Sequence, residues 1–209
     1  MVAKLQVYCS EDLGAFYLDV LKDRLYTTAP GSQARRSAQT ALWHITQAML
    51  RWMAPFLSFT AEEAWKFCGD GRSIFVQTYS GLGTPDRALL ARWTRIREIR
   101  DAVNKEIETV RSAGQVGSSL QANVAIAAAA EDHALLSSLA DDLKFVLITS
   151  AVTLAAGEAL SIQVTASAAT KCERCWHWRD DVGHDAAHPG LCGRCTSNLY
   201  GAGEPRTLA

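Results

Sequence analysis

Hydrophobic residues recur at three- and four-residue steps through the first half of the chain, which is the pattern of amphipathic helices. The first helix is predicted over residues 11–28, and Ser10 is available as its N-cap. After a turn containing Pro30 and Gly31, a second helix is predicted from about residue 33 to 53. Because proline lacks an amide hydrogen, Pro55 should end or bend this helix.

Two more helices are predicted before the pattern changes. The sequence TAEE at residues 60–63 fits a capping box that opens a short third helix, which should end near Gly69. An extended piece is expected at 74–79. The longest helix is predicted from residue 86 to about 113, and its apolar stripe comprises Leu89, Trp93, Ile96, Ile99, Val103, Ile107 and Val110.

Beyond Gly114 the pattern changes from helical to mixed. Residues 123–130 and 160–166 are rich in small and β-branched side chains and are predicted to be strands. A helix is expected between them at 135–143, followed by a possible strand at 145–149. This part of the chain is therefore predicted to be a small α+β region.

Composition and charge narrow the class of protein. Hydrophobic residues are 48% of the 209 residues and charged residues 21%, as in ordinary globular proteins. The formal net charge of −1 argues against a chain that is basic throughout. The sequence contains neither a signal peptide nor a membrane-spanning run, so we expect a cytoplasmic protein that does not enter a membrane.

Four of the six cysteines form two Cys-x-x-Cys pairs separated by sixteen residues: Cys172, Cys175, Cys192 and Cys195. Each pair lets a tight turn direct two thiolates at one point, and two such turns supply the four ligands of tetrahedral zinc. Four cysteine ligands leave no open coordination position, so one structural zinc ion is predicted. Because the segment is too short to build a sufficient core, the metal should supply its folding free energy.

Other interpretations of these cysteines are weaker. A single Cys-x-x-Cys could be a redox pair, but two pairs at this spacing in a reducing compartment favour zinc. A mixed site with His188 would leave one sulfur of a matched pair without a metal. Cys9 and Cys68 lie in helical contexts and are most simply packing residues.

Two tryptophans follow the first cysteine pair, Trp176 and Trp178. They could pack on the metal turn and on the helical part of the chain, which is the interpretation that the residues alone favour. Alternatively, Trp176 could stack on an unpaired base, as aromatic side chains do in single-stranded RNA loops.

Three segments together resemble the bacterial isoleucyl-tRNA synthetase family. They are SEDLGAFYLDVLKDRLYTT, ARRSAQTALWHITQAMLRWMAPFLSFTAEEAW and the terminal CERCWHW…CGRCTSN, and their order and spacing match from about Leu5 onward. YLDVLKDRLY and RWMAPFLSFTAEE resemble the helical anticodon-binding domain that the isoleucine, valine and leucine enzymes share. The terminal four-cysteine module points to the isoleucine enzymes.

The resemblance implies a mainly α fold in three parts. We expect a helical-bundle anticodon-binding domain over 1–113 that is truncated at its N-terminus, a small α+β region over 114–168, and a four-cysteine zinc-ribbon-like module over 169–209. The HIGH- and KMSKS-type signatures of the ATP-binding catalytic domain are not found, nor is a catalytic residue predicted. The chain is therefore expected to be a fragment of an isoleucine–tRNA ligase that is inactive alone, and ATP is expected to bind only in the absent catalytic domain.

The expected partner is isoleucine tRNA, with no role in DNA binding, and the parent enzyme is expected to be monomeric. Candidate RNA contacts are basic or aromatic residues next to the metal or in the helices: Arg174, Trp176, Arg194, Lys22, Arg24 and Arg95. Arg24 could instead pair with Asp19 or Asp23 within the protein.

Three other classes of protein share some of these sequence features. A DNA-repair glycosylase can end in a similar four-cysteine module, but Met1-Val2-Ala3 offers no proline nucleophile. A free-standing zinc-ribbon adaptor would bind protein partners and no tRNA. A valine or leucine enzyme is disfavoured by the terminal four-cysteine module.

Overall fold

The structure is a computed structural model that describes residues 2–79, 81, 83–206 and 208. It is mainly helical, with a small sheet region and a four-cysteine cluster, which confirms the predicted fold class. Residues Arg36–Asp86 form one compact unit, and the described residues before and after them form another. The first boundary falls inside helix α3 (Gln33–Met53), whose bounds are those predicted from the sequence.

The larger unit begins with a helix that changes type along its length. Helix α1 (Val2–Val7) continues as a π-helical segment (Tyr8–Leu18) and then as helix α2 (Asp19–Thr27). The predicted start at residue 11 is therefore wrong. Ser10 is not an N-cap, because it lies inside the helical run and its hydroxyl donates to the carbonyl of Gln6 at 3.0 Å.

A glycine is required inside the π-helical segment. A Cβ atom at Gly14 would lie 2.9 Å from the carbonyl oxygen of Cys9, one wide helical turn earlier.

The π-helical segment packs on α5 through an aromatic ring. The ring of Phe16 packs edge-on against Trp93, with 6.0 Å between the ring centroids. Arg97 places its guanidinium 4.9 Å from the centre of the same ring and pairs with Asp12 at 2.6 Å.

In the smaller unit, helix α4 (Ser58–Cys68) starts two residues before the predicted capping box. Its N-cap residue is Leu57, which has no side-chain bond, so the predicted box is not formed. Glu62 accepts hydrogen bonds instead from the Ser73 hydroxyl at 3.1 Å and the Ile74 amide at 2.8 Å. The segment predicted as extended, residues 74–79, begins with one 3₁₀ turn, Ile74–Val76.

The core of the larger unit lies between one long helix and a mixed sheet. Helix α5 (Arg87–Ser112) has the predicted extent, and its buried apolar residues are Ile96, Ile99, Val103 and Ile107. Strand β1 (Ala122–Ala128) is the central strand of the sheet. It pairs in parallel with β2 (Ala151–Ala156) and antiparallel with β3 (Ser161–Ala166).

Between β1 and β2 the sequence prediction is partly wrong. Helix α6 (Ala130–Ser137) begins earlier than expected, and the residues expected to form a strand at 145–149 lie largely in helix α7 (Leu143–Leu147). An uninterrupted apolar run does not by itself distinguish a buried strand from a buried helix. Ile148 ends α7 in the left-handed region, with φ of 55°. Strand β2 was not predicted.

The cysteine-rich segment contains little regular structure. Strands β4 (Thr170–Lys171) and β5 (Trp178–Arg179) pair antiparallel, and helix α8 (Gly193–Tyr200) follows. The proposed division at residues 114 and 169 remains a prediction. In the described part of the chain, every helix is too short or too polar to cross a lipid bilayer.

The substitution Gly14→Ala tests the π-helical segment. A helical Gly→Ala change normally stabilises by up to about 1 kcal/mol. Here we expect the reverse, a loss of about 1–3 kcal/mol, because the added methyl group meets backbone. Urea unfolding should show the loss, whereas Gly31→Ala, whose Cβ would meet nothing within 4 Å, should be near neutral. A stabilised Gly14→Ala protein would contradict the described helix geometry.

Candidate functional site

Two short turns bring the four predicted metal ligands together. In the first, the Trp176 amide donates to the Cys172 carbonyl at 2.9 Å, which closes the loop that carries Cys172 and Cys175. In the second, Cys192 is the N-cap residue of α8, and Cys195 lies in the first turn of that helix. The β4–β5 pair holds the first turn in place from both sides.

The sulfur positions fit a tetrahedral metal site. The four Sγ atoms lie within 4.8 Å of one another, and all four residues are buried. Cys175 Sγ and Cys192 Sγ are 3.7 Å apart. Zinc–sulfur bonds of about 2.3 Å imply sulfur–sulfur separations of about 3.8 Å in a tetrahedron. In the described part of the chain no histidine joins this group, so the mixed site with His188 is not formed.

The electrostatics of the thiols also favour a bound cation. Hydrogen bonds with the Cys175 and Cys195 thiols lower the pKa of the Cys192 thiol below its usual range. Hydrogen bonds with Cys175 and Cys192 raise the pKa of Cys195 above its usual range. Four thiolates this close repel one another, and a central divalent ion removes that penalty.

The arginine between the second pair of cysteines is buried, not free for RNA. The Arg194 side chain is 7% exposed and binds the Asp23 carboxylate through two hydrogen bonds of 2.7 and 2.8 Å. It also donates to Glu204 at 3.3 Å. The expected RNA contact by Arg194 is therefore not supported, because the protein itself occupies the guanidinium.

A second arginine reaches the same carboxylate from the end of the chain. Arg206 donates to Asp23, and its guanidinium carbon lies 3.8 Å from the centre of the Phe145 ring. Arg194 lies over the same ring at 4.9 Å, and His177 meets it edge-on at 5.6 Å between centroids. These contacts form one buried cluster of charges and rings. The cluster joins α2 and α7 to residues 170–200, which carry the four cysteines and are called the metal module below.

Arg174, between the first pair of cysteines, also binds the protein. It donates to the Thr27 carbonyl at 2.7 Å and to the Tyr26 carbonyl at 3.1 Å. The last carbonyls of a helix lack partners within the helix, and arginine commonly satisfies them. Arg35 does the same for the Leu25 carbonyl at 2.7 Å. The C-terminal turn of α2 (Asp23–Thr27), called the α2 turn below, is thus held by several arginines.

Trp176 is placed differently from its neighbours. It is 59% exposed and its φ is 64°, a conformation that bulky residues rarely adopt. Its indole N–H donates to the Glu173 carbonyl at 3.1 Å, and the Lys171 ammonium lies 5.5 Å from the ring centre. Trp176 is thus exposed to solvent over most of its surface while its indole N–H is bound to the metal turn, and its contact with RNA remains a prediction. Trp178 is the partly buried one of the two.

The three remaining candidates differ in availability. Lys22 is exposed and pairs with Asp19 at 2.9 Å. Arg24 donates to the Ala34 carbonyl at 3.1 Å, so it links α2 to α3 and does not form the ion pair considered as an alternative. Arg95 binds Asp132 through two 2.8 Å hydrogen bonds and Glu98 through one of 2.7 Å.

A cleft of about 490 Å³ lies between the α2 turn and the turn that carries Cys172 and Cys175, called the first metal turn. Lys22, Tyr26, Phe145, Ile148, Arg174 and Trp176 contribute to its walls. This volume lies in the range of small-molecule sites. The structure therefore brings Lys22, Arg174 and Trp176 to one place, while Arg95 lines another cavity.

Sequence reasoning missed the partners that hold the site. Asp23 and Arg206 are far apart in the chain, and Phe145 lay in a predicted strand. The cysteine spacing predicted the position of only one member of this group, Arg194, because Arg194 lies between two of the metal ligands. Nothing in the local sequence marks Asp23 as a buried acceptor.

Comparison with known proteins agrees with this architecture. Residues 1–126 match the family described as the anticodon-binding domain of tRNA ligase. Residues 170–198 match a zinc finger found in FPG and IleRS. The zinc finger alone is therefore shared with a second group of proteins, whereas the longer match is specific to tRNA ligases. The chain belongs to the family of tRNA-ligase anticodon-binding domains.

Similar proteins indicate which kind of tRNA ligase the chain resembles. The chain is 59% identical to the isoleucine–tRNA ligase of Bordetella pertussis and 60% identical to that of Ralstonia pickettii. It is 56% identical to the corresponding ligase of an Azoarcus species. Each alignment covers 100% of this chain and 23% of the relative, so the chain spans about a quarter of the length of these proteins. The resemblance inferred from the sequence motifs is confirmed.

The metal content of the purified chain tests the site. We expect about one equivalent of zinc, because four buried cysteines form one set of tetrahedral ligands. Cys172→Ser or Cys195→Ser should lose the metal and unfold residues 170–200 while leaving the helical part largely folded. Cys68→Ser, outside the cluster, is the matched control and should retain the metal. Elemental analysis that finds no zinc in carefully prepared protein would overturn the assignment.

Proposed function

We propose that this chain binds the anticodon stem-loop of isoleucine tRNA as part of an isoleucine–tRNA ligase. The family match and the isoleucine–tRNA ligase relatives support this proposal. The observation that carries it is the exposed indole of Trp176 on a rigid turn. In this proposal the face of Trp176 stacks on an unpaired base of the anticodon loop.

The backbone at Trp176 favours a binding role. A non-glycine residue in the left-handed region costs about 1–3 kcal/mol and persists only where its surroundings determine it. Here the turn that leads into Trp176 carries Cys172 and Cys175, two of the four proposed metal ligands, and strand β5 begins two residues after Trp176. The strained backbone and the exposed indole both reduce stability. An exposed aromatic ring held in a fixed orientation is, however, what stacking on an RNA base requires.

Cationic side chains beside the indole suit a nucleic acid. Lys171 lies over the Trp176 ring, and Lys22 lines the same cleft. The exposed ion pair of Lys22 with Asp19 is worth little, so a phosphate can compete for this ammonium. Arg174 is held by the α2 carbonyls, and we assign it mainly to fixing the cleft wall. Arg95, with three bonds to carboxylates, is the weakest of the candidates.

The zinc ion in this proposal is structural, and the chemistry of charging takes place elsewhere. Binding and activating isoleucine with ATP belongs to a part of the ligase outside this chain, and the ligase is proposed to act as a monomer in the cytoplasm. The isolated chain is accordingly expected to show no isoleucine-dependent pyrophosphate exchange.

Binding of anticodon stem-loops tests the role of Trp176. Trp176→Ala should cost about 1–3 kcal/mol of binding to the cognate stem-loop, because one base–indole stack is lost. It should cost less with an altered anticodon. Arg95→Ala, if Arg95 contacts a phosphate, should weaken both RNAs alike and reduce the salt slope by about one unit.

The matched control is Trp43→Ala, which removes an exposed tryptophan from the smaller unit. It should leave binding unchanged. Equal losses for both stem-loops in Trp176→Ala, or full affinity for both, would show that Trp176 does not read a base.

A further inference from the structure

Residues 204–206 and 208 are bonded to helix α8 at one point and to Asp142, just before helix α7, at another. The Glu204 amide donates to the Asn198 side-chain oxygen at 2.8 Å, and the Asn198 side-chain nitrogen donates to the Glu204 carboxylate at 2.9 Å. Asn198 is buried. The Leu208 amide donates to Asp142 at 3.0 Å. Hydrogen bonds therefore hold this segment at Glu204 and again at Leu208.

Between these points, Arg206 enters the buried cluster. Its side chain is 0% exposed, its guanidinium binds Asp23 on the α2 turn, and it stacks on Phe145 from α7. Arg194, from the second metal turn, binds the same carboxylate from another direction. Asp23 and Glu204 together offset the charges of the two guanidinium groups.

Such a cluster is better suited to fixing geometry than to adding stability. Taking charged groups out of water costs about as much free energy as their pairing returns. The bonds are directional, however, and they join three elements that are far apart in the sequence. Removing Arg206 leaves Asp23 to Arg194 alone, so the α2 turn keeps its attachments through Arg194 and Arg174 and loses the one that comes from the tail.

We propose that the tail segment Glu204–Arg206 is a positioning element for RNA recognition, and that Arg206 is its positioning residue. By fixing the α2 turn against the metal turn that carries Trp176, Arg206 sets the shape of the cleft between them without touching RNA. The inference rests on the proposed function of that cleft. It predicts that a buried residue near the end of the chain controls discrimination between anticodons.

The test uses the zinc-loaded chain with Arg206→Gln, Arg206→Lys and a variant that ends at Gly203. Arg111→Gln is the matched control, because it removes one positive charge from an exposed ion pair with Glu108. Two quantities are measured for each protein. They are the rate at which a chelator removes zinc, and the ratio of dissociation constants for cognate and altered anticodon stem-loops.

We expect Arg206→Gln and the shortened chain to reduce the anticodon ratio by about fivefold or more, in the range of ordinary coupling between sites. Zinc release should quicken in both. Arg206→Lys, which keeps the charge, should lie between them and the unchanged protein, and Arg111→Gln should match the unchanged protein. A variant that merely unfolded in part would lower the active fraction for both RNAs equally and leave the ratio intact.

The outcomes separate this inference from the proposed function. If the unchanged chain binds neither stem-loop, the proposed function fails, and the positioning role fails with it. If the unchanged chain discriminates and Arg206→Gln discriminates equally well, the positioning role alone is overturned. Unchanged zinc release in both Arg206→Gln and the shortened chain would also overturn it, because the tail would then not support the metal module.

Discussion

The bidentate ion pair between Asp23 and Arg194 is the contact on which the rest of the site depends. Asp23 lies in the α2 turn, and Arg194 lies between two cysteines of the metal cluster. Burial raises the pKa of Asp23, but the hydrogen bonds and charge of Arg194 and the charge of Arg206 outweigh it and hold that pKa well below its usual range. Because folding lowers this pKa, the pair stabilises the protein above the unfolded-state pKa of about 4 and is lost as acid protonates the carboxylate.

The α2 turn concentrates contacts that originate far apart in the chain. Arg35 and Arg174 satisfy its last carbonyls, and Arg194 and Arg206 bind its carboxylate. A helix C-terminus carries partial negative charge, so cationic donors are favoured there. The arrangement converts a helix end into a fixed wall of the cleft. The metal that the four cysteines are placed to bind would fix the opposite wall, which carries the exposed Trp176.

Local patterns in the sequence predicted much of this molecule. The helix stripes gave α3 and α5, and the cysteine spacing gave the metal cluster, because helical periodicity and ligand spacing are properties of short segments. The π-helical segment and the left-handed Ile148 were not predicted, since they depend on packing. Of the predicted RNA contacts, Arg194 is buried by a carboxylate 171 positions away in the chain. No local pattern can reveal such a pair, and the exposure of Trp176 was not predicted either, because the residues alone favoured packing.

The metal module and the α2 turn are held together so closely that they should loosen together. Hydrogen exchange measured with and without zinc tests this coupling most directly. On removal of zinc, the amides of residues 23–27 should exchange faster, together with those of the metal module, while amides of α5 around Ile99 and Val103 keep their protection. Unchanged exchange at residues 23–27 after complete metal removal would contradict this coupling, because the α2 turn would then be held without the metal.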